Sequence, residues 1–428
     1  MISLVAEPIT GLVDTGFIAR LGAAPLAALG VGTVLLSSIF WVFNFLGIGT
    51  QTEVAHGLGE SRSEHAREAA GLALAVATAI GLALIALGWP ALGFATRFMS
   101  NDAPVQEAAL VYLRIRLLAA PAVLGMLACF GALRGLQDMR TPLWIAVGTN
   151  AVNLVLDPLL IFGLGPFPTL GIGGAAWATV IAQWGGAAAA VRAVRRRPGL
   201  PDRVHWADAR RLLRVGRDLF FRTGLLLLFI LISTRAATRA GVEAGAANQA
   251  IRQMWVFMAF VLDAYAAAAQ SLVGYFLGAA HAAIARRVAA VAIGWSIVSG
   301  AGMTAAMIAG SGLVAGMLVP PAAHGVFAAA WLVAALAQPM NAVAFATDGI
   351  LWGARDYRFL RNGMFLSTAI GCALLARLDL DEPDALTGIW WISVLWIGVR
   401  GAFGVMRVWP GIGASPFRDA AADLARGS

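Results

Sequence analysis

Gly131-Ala132-Leu133-Arg134-Gly135-Leu136-Gln137-Asp138-Met139-Arg140 returns 218 residues later as Gly349-Ile350-Leu351-Trp352-Gly353-Ala354-Arg355-Asp356-Tyr357-Arg358. Both stretches read Gly-x-Leu-x-Gly-x-x-Asp-x-Arg. Upstream, Gln51 with Gly59 returns as Gln270 with Gly278, and Arg20 with Gly22 returns as Arg239 with Gly241, each 219 residues on. The signals keep their order, so the chain of 428 residues reads as two related halves joined head to tail. Both halves are mostly apolar. A duplicated membrane domain, with a substrate path between its halves, is the usual build of a secondary transporter.

Composition supports the membrane reading. The chain is 60% hydrophobic and only 13% charged, where a soluble domain carries about 25% charged residues. Apolar runs of about 20 residues, long enough to cross a bilayer, recur from end to end. Twelve spans are expected: 1–18, 27–54, 67–93, 107–133, 141–163 and 171–194 in the first half, then 216–238, 246–274, 283–308, 317–347, 359–376 and 386–408. The fold expected is all-α, with two six-helix lobes around a central cleft. Residues 1–195 form the N-terminal lobe, 196–215 a basic linker, 216–408 the C-terminal lobe and 409–428 a tail. Six spans per half is an even number, so the second half enters from the same side as the first, which is a parallel repeat. The first span looks clipped, because Asp14 comes only 13 residues after Met1.

Arginine placement orients the bundle. Arg62 and Arg67, Arg134 and Arg140, the cluster from Arg192 to Arg214, Arg286 and Arg287, and Arg355 to Arg361 all fall in alternate connections. The intervening loops are poor in Arg, so the positive-inside rule places both termini and the linker in the cytoplasm. The net charge of +8 is then a topology and membrane-surface signal, not a nucleic-acid footprint. The linker, with Leu212 and Leu213 among its arginines, reads as an amphipathic run along the membrane surface. Lysine is absent, a bias that suits a GC-rich bacterial genome and points to a bacterial cytoplasmic membrane. Two cysteines and scattered histidines give no disulfide framework or metal spacing. No phosphate-binding loop of the G-x-x-x-x-G-K type occurs, so the chain has no ATP-hydrolysing module of that kind.

Polar residues inside the spans are the candidate site. A charge at the bilayer centre costs about 2.5–3.5 kcal/mol on insertion scales. Asp14 lies in the first span and Asp157 in the fifth. Asn150, Asn153 and Asp157 follow spacings of three and four, so they share one helix face, and that face cannot meet lipid cheaply. Pro158 has no N–H, which frees the Leu154 carbonyl beside the carboxylate, and Pro8 is a natural bend point in the first span. The functional reading is a proton relay or cation site at Asp14 and Asp157; the bland one is a polar knot that glues helices. Thr179 and Gln183, four apart, face the same way. Met254, Phe257 and Met258 make an adaptable face that can suit varied apolar ligands or simply pack, and Gln253 and Arg235 are further cleft candidates. Asp263 and Tyr265 are a polar point in the second half. The two Gly-x-Leu-x-Gly motifs read as turns that anchor loops.

Leu12-Val13-Asp14-Thr15-Gly16-Phe17-Ile18-Ala19-Arg20-Leu21-Gly22 resembles the first-span motif of the multidrug and toxic compound extrusion (MATE) transporters. Gly131 to Pro142 resembles the loop before their fifth span, and Asn153-Leu154-Val155-Leu156-Asp157-Pro158 the fifth span itself. The pairing of these two spans is similar to the DinF-like branch. The resemblance implies twelve helices around a V-shaped cleft and efflux of organic cations and other toxic compounds by antiport. It implies a first-lobe coupling site at Asp14, Asn153 and Asp157, with Thr179 where that site has a further polar group. Sodium-coupled relatives of another branch carry acids in spans seven and ten. Here span seven has none and span ten only Asp348 at its end, which favours protons, with a first-lobe sodium site as the alternative. No cofactor beyond the coupling ion is implied. The partners expected are a cationic, amphipathic small molecule and membrane lipids, with no nucleic acid, and the chain is expected to act as a monomer. The competing class is a flippase of lipid-linked precursors; its relatives carry a cationic cavity and extra spans. An enzyme is disfavoured because no nucleophile or paired catalytic group is visible.

Overall fold

The computed structural model describes residue 11 and residues 14–197, 199–201 and 209–418. Pro8, with most of the expected first span, lies outside the described residues, as do residues 202–208 of the linker and 419–428 of the tail. The described secondary structure is helical throughout, with no strand among the described residues. The chain divides into two compact units, Met1–Gly216 and Arg217–Ser428. In the first, residues 14–19 are helical, followed by α1 (Ala23–Val42), α2 (Phe45–Gly59), α3 (Ser63–Met99), α4 (Ala103–Leu117), α5 (Ala120–Gly135), α6 (Arg140–Phe162) and α7 (Ile172–Arg196). The second carries α8 (Ala209–Arg239), α9 (Val242–Gly278), α10 (Ala282–Ala309), α11 (Ser311–Leu318), a 3-10 turn at Pro321–Ala323, α12 (His324–Leu336), α13 (Gln338–Gly353), α14 (Tyr357–Leu375) and α15 (Ala385–Val408).

Among the described residues, six helical stretches are long and apolar enough to cross a membrane: α1 with α2 as one run, α3, α6, α9, α10 and α15. Two more cross as bent pairs, α4 with α5 at 48° and α12 with α13 at 45°. These eight sit at eight of the expected spans, and α7, α8, α14 and the helical residues 14–19 lie at the other four. The chain is an all-α, multi-pass membrane protein. One boundary differs from expectation. Residues 209–215, read as the end of the linker, are the first two turns of α8, because Leu212 and Val215 pack on Gly49 of α2 and burial holds them helical.

Both bends have the same cause. Pro121 and Pro339, at matching places in the repeat, occupy the first turn of α5 and α13. Neither can donate the bond that would continue the preceding helix, and the ring crowds the carbonyl four residues back. A Gly of the neighbouring helix fits each elbow: a Cβ on Gly81 would collide with the Pro121 backbone, and one on Gly300 would lie 2.8 Å from the Pro339 Cα.

The Gly-x-Leu-x-Gly motifs are helix seams, and the turns expected within 131–140 and 349–358 follow directly after them. Gly131 and Gly135 press α5 onto α2, where a Cβ on Gly135 would stand 2.7 Å from the Gln51 carbonyl oxygen. Gly353 presses α13 onto α9 in the same way, 2.5 Å from the Gln270 carbonyl oxygen. Small residues let membrane helices approach to backbone distance. Each motif then ends its helix with a left-handed residue, Gln137 (φ 65°) or Arg355 (φ 59°). The Asp138 N–H donates to the Leu133 carbonyl at 3.0 Å, and the Asp356 N–H to the Leu351 carbonyl at 3.0 Å, which is a Schellman closure. Ser61 and Ala280 repeat the device at the ends of α2 and α9. Gly22 and Gly241, at φ 117° and 131°, repeat the entry into α1 and α9. The duplication is thus written into backbone geometry as well as sequence.

Candidate functional site

Helix α6 presents two faces. Val152 and Val155 are exposed, as residues against lipid would be, while Asn153 and Asp157 are buried. Asn153 Nδ2 donates to Asp157 Oδ1 at 3.4 Å and to Thr179 Oγ1 of α7 at 3.4 Å. The Thr179 hydroxyl donates to the Ala175 carbonyl at 2.9 Å, so its lone pairs are free to accept. Asp14, from the first helical segment, brings its carboxyl within hydrogen-bonding reach of Asp157. Two carboxyl groups that close favour a shared proton, because both cannot be charged cheaply. Among the described residues, no N–H or hydroxyl group donates to the buried atoms Asp14 Oδ1 and Asp157 Oδ2.

Arg116, on α4, completes the group. It is the positive charge that both carboxyls feel, and its Nη1 donates to Gln183 Oε1 on α7 at 2.9 Å. Its Nε is buried without a partner. The site therefore holds two acids, one fixed base and three amide or hydroxyl groups. The sequence reading missed Arg116. Its signal was available: an arginine well inside the fourth expected span, which costs as much as an aspartate there.

The structure gathers Asp14, Asn153, Asp157 and Thr179 directly, and Gln183 through Arg116. Asn150 is half-buried, and no hydrogen bond joins it to the others among the described residues. Met254 and Met258 are half-buried against the core of the second unit, a packing role. Phe257, Gln253 and Arg235 are exposed on α9 and α8. Tyr265 hydroxyl pairs with Ser299 hydroxyl at 2.5 Å. No cluster of three His, Cys, Asp or Glu side chains occurs among the described residues, and Cys129 and Cys372 are free.

The second unit holds a polar group that sequence reading reduced to Asp348 alone. Asp348 Oδ2 accepts from Arg222 of α8 and from Arg400 of α15, the latter at 2.8 Å, and all three are buried. Arg222 lies over the Trp352 ring at 5.2 Å and Arg400 over Trp396 at 4.6 Å. Phe229 also stacks on Trp396, ring centroids 4.4 Å apart. These aromatic faces stabilise guanidinium groups that water cannot reach. The acid was correctly seen at the end of a span; its two arginine partners come from distant helices.

A duplicated helical membrane chain with two acids meeting between its helices fits a membrane transporter. The family profile described as MatE matches residues 1–159. Protein DETOXIFICATION 44, chloroplastic, of Arabidopsis thaliana is 30% identical over 425 residues, covering 95% of this chain and 80% of that protein. DNA damage-inducible protein F of Escherichia coli (strain K12) is 28% identical over 424 residues, covering 95% and 89%. The crystal structure of MATE in the bent conformation aligns with a TM-score of 0.87 over 98% of this chain and 94% of that one, at 20% identity. The chain belongs to the multidrug and toxic compound extrusion (MATE) family of transporters, and its relatives include the DinF-like branch.

Proposed function

We propose that this transporter exports amphipathic organic cations by antiport against protons. It does so as a monomer in a bacterial cytoplasmic membrane, with both termini inside. The observation that carries the reading is the Asp14–Asp157 pair beside Arg116. With one shared proton the pair bears one negative charge, which Arg116 balances. Without it the site bears a net negative charge and attracts a cation. One proton thus switches the site between neutral and anionic, and proton and drug favour different states, as coupling requires. Asn153, itself anchored on the Thr179 hydroxyl, holds the Asp157 carboxyl in place. Arg116 opposes every added cation by like charge; a proton meets that cost by bonding to a carboxyl oxygen, which sodium cannot do. Arginine distribution supports the orientation. Relatives named multidrug resistance protein NorM support the substrate class.

The test is transport in proteoliposomes with a preset proton gradient and no sodium. Ethidium should dissipate the gradient with the wild type, and Asp14→Asn should lower that response at least about tenfold, since the site can then no longer become anionic. An unchanged response in Asp14→Asn overturns the assignment. A response that appears only with sodium replaces the ion and keeps the antiporter.

A further inference from the structure

The first unit contains a groove of about 600 Å³ between α3, α5 and α7, separate from the acid pair. One face of α7 runs along it: Trp184, Ala188, Val191, Arg192, Arg195 and Arg196. Spacings of three and four put these residues in a single stripe. The stripe changes character along its length. Its first half is aromatic and aliphatic, and its last two turns carry three guanidinium groups. Leu74 of α3 and Pro121 and Gly125 of α5 continue the apolar wall opposite. Trp184 is fixed at the deep end, its Nε1 donating to the Leu118 carbonyl at 3.2 Å.

We propose that this groove binds an acidic phospholipid, with the headgroup phosphate on Arg192, Arg195 and Arg196 and one acyl chain along the apolar wall to Trp184. The order of chemistry along α7 matches that of a lipid lying along the bilayer normal, polar end first. The arginines are exposed, and no acidic side chain pairs with any of the three among the described residues, so their charge is open to an anion. Basic pockets between membrane helices on the cytoplasmic side suit anionic headgroups, and the positive-inside rule places this end of α7 there. Guanidinium groups also meet phosphate oxygens two at a time, which an uncharged or zwitterionic surface uses poorly. The volume, about 600 Å³, leaves room for part of a chain beside the headgroup. The occupant would brace α3, α5 and α7 from outside the acid pair.

The experiment is fluorescence quenching of the full chain in vesicles by phospholipids brominated on the acyl chain. The Trp184 signal is taken as the difference between wild type and Trp184→Phe. Brominated phosphatidylglycerol should quench it at a lower mole fraction than brominated phosphatidylcholine. The advantage should shrink about fivefold for each arginine changed to glutamine and vanish in Arg192→Gln/Arg195→Gln/Arg196→Gln. Equal quenching of the wild type by both lipids overturns the site, whatever the variants do. An advantage that survives in the triple variant overturns the role of the arginines. Relief of quenching by soluble glycerol phosphate as readily as by added lipid overturns the acyl-chain contact and leaves only a phosphate site.

Discussion

Asp157 is held on one side by Asn153 and faced on another by Asp14, within reach of the Arg116 charge. Three of those four residues were legible in the chain, because a carboxylate or a helical stripe of amides inside an apolar span has few inexpensive homes. Arg116 was legible as a charge inside an apolar span but not as a member of this site, since its pairing with Gln183, 67 residues away, is a product of helix packing. Its role is open to a direct check. In Arg116→Gln the singly protonated pair keeps an uncompensated negative charge, so sodium should compete with drug-evoked proton movement about tenfold more effectively than in the wild type. Competition curves in proteoliposomes measure this, and identical curves would remove Arg116 from ion selection. Asp138 offers a second test, outside the spans. Partial burial works against its charge, but the Thr141 hydroxyl (2.6 Å), the Thr141 and Arg140 N–H groups and the Arg197 charge together hold its carboxyl below the ordinary 3.8. A lowered acid stabilises the fold above its unfolded value and loses that contribution as pH falls through the folded one. The wild type should therefore lose its advantage in melting temperature over Asp138→Asn as pH drops below 3.8, and a constant gap would contradict this.

At the scale of elements, the seams between α5 and α2 and between α13 and α9 matter most. The repeated glycines were readable as a pattern leading into a turn, but their seam role was not, because a Gly at a helix seam and a Gly in a turn look alike in sequence. Distance to the Gln51 and Gln270 carbonyls separates the two. Gly135→Val should cost roughly 1–3 kcal/mol by overpacking, and Gly353→Val should match it in the second unit, both read as lowered melting temperature in detergent. Gly148, with nothing within 4 Å of a Cβ, is the control: Gly148→Ala should stay within about 0.5 kcal/mol of the wild type. The two elbows were also hidden in plain sight. Pro121 and Pro339 lie inside runs apolar enough to pass as continuous spans, and only the fold shows that the helices there turn by 48° and 45°.

Across the whole molecule the two units share helix ends, elbows and seams but differ in buried charge. The first sets one buried acid, Asp157, and one half-buried acid, Asp14, near a half-buried arginine, Arg116, and the second buries two arginines, Arg222 and Arg400, against one acid, Asp348. Duplication supplied the scaffold, and each copy then acquired its own polar interior. Removing Asp348 would leave two guanidiniums facing each other out of reach of water, which costs roughly 3–5 kcal/mol. Asp348→Asn should accordingly lower folded yield and melting temperature while the surviving protein keeps proton-coupled transport. Loss of proton response at full stability would move the coupling site into the second unit. Membrane class, duplication and the principal acids were already settled by composition and spacing. Each is a local matter of how much apolar length crosses a bilayer, or of which residues recur at a fixed offset. The charge partners, the seam role of the glycines and the groove along α7 needed the folded chain. Each depends on side chains 50 to more than 120 residues apart meeting in three dimensions, as Arg400 and Arg222 do at Asp348, and one-dimensional spacing does not record such meetings.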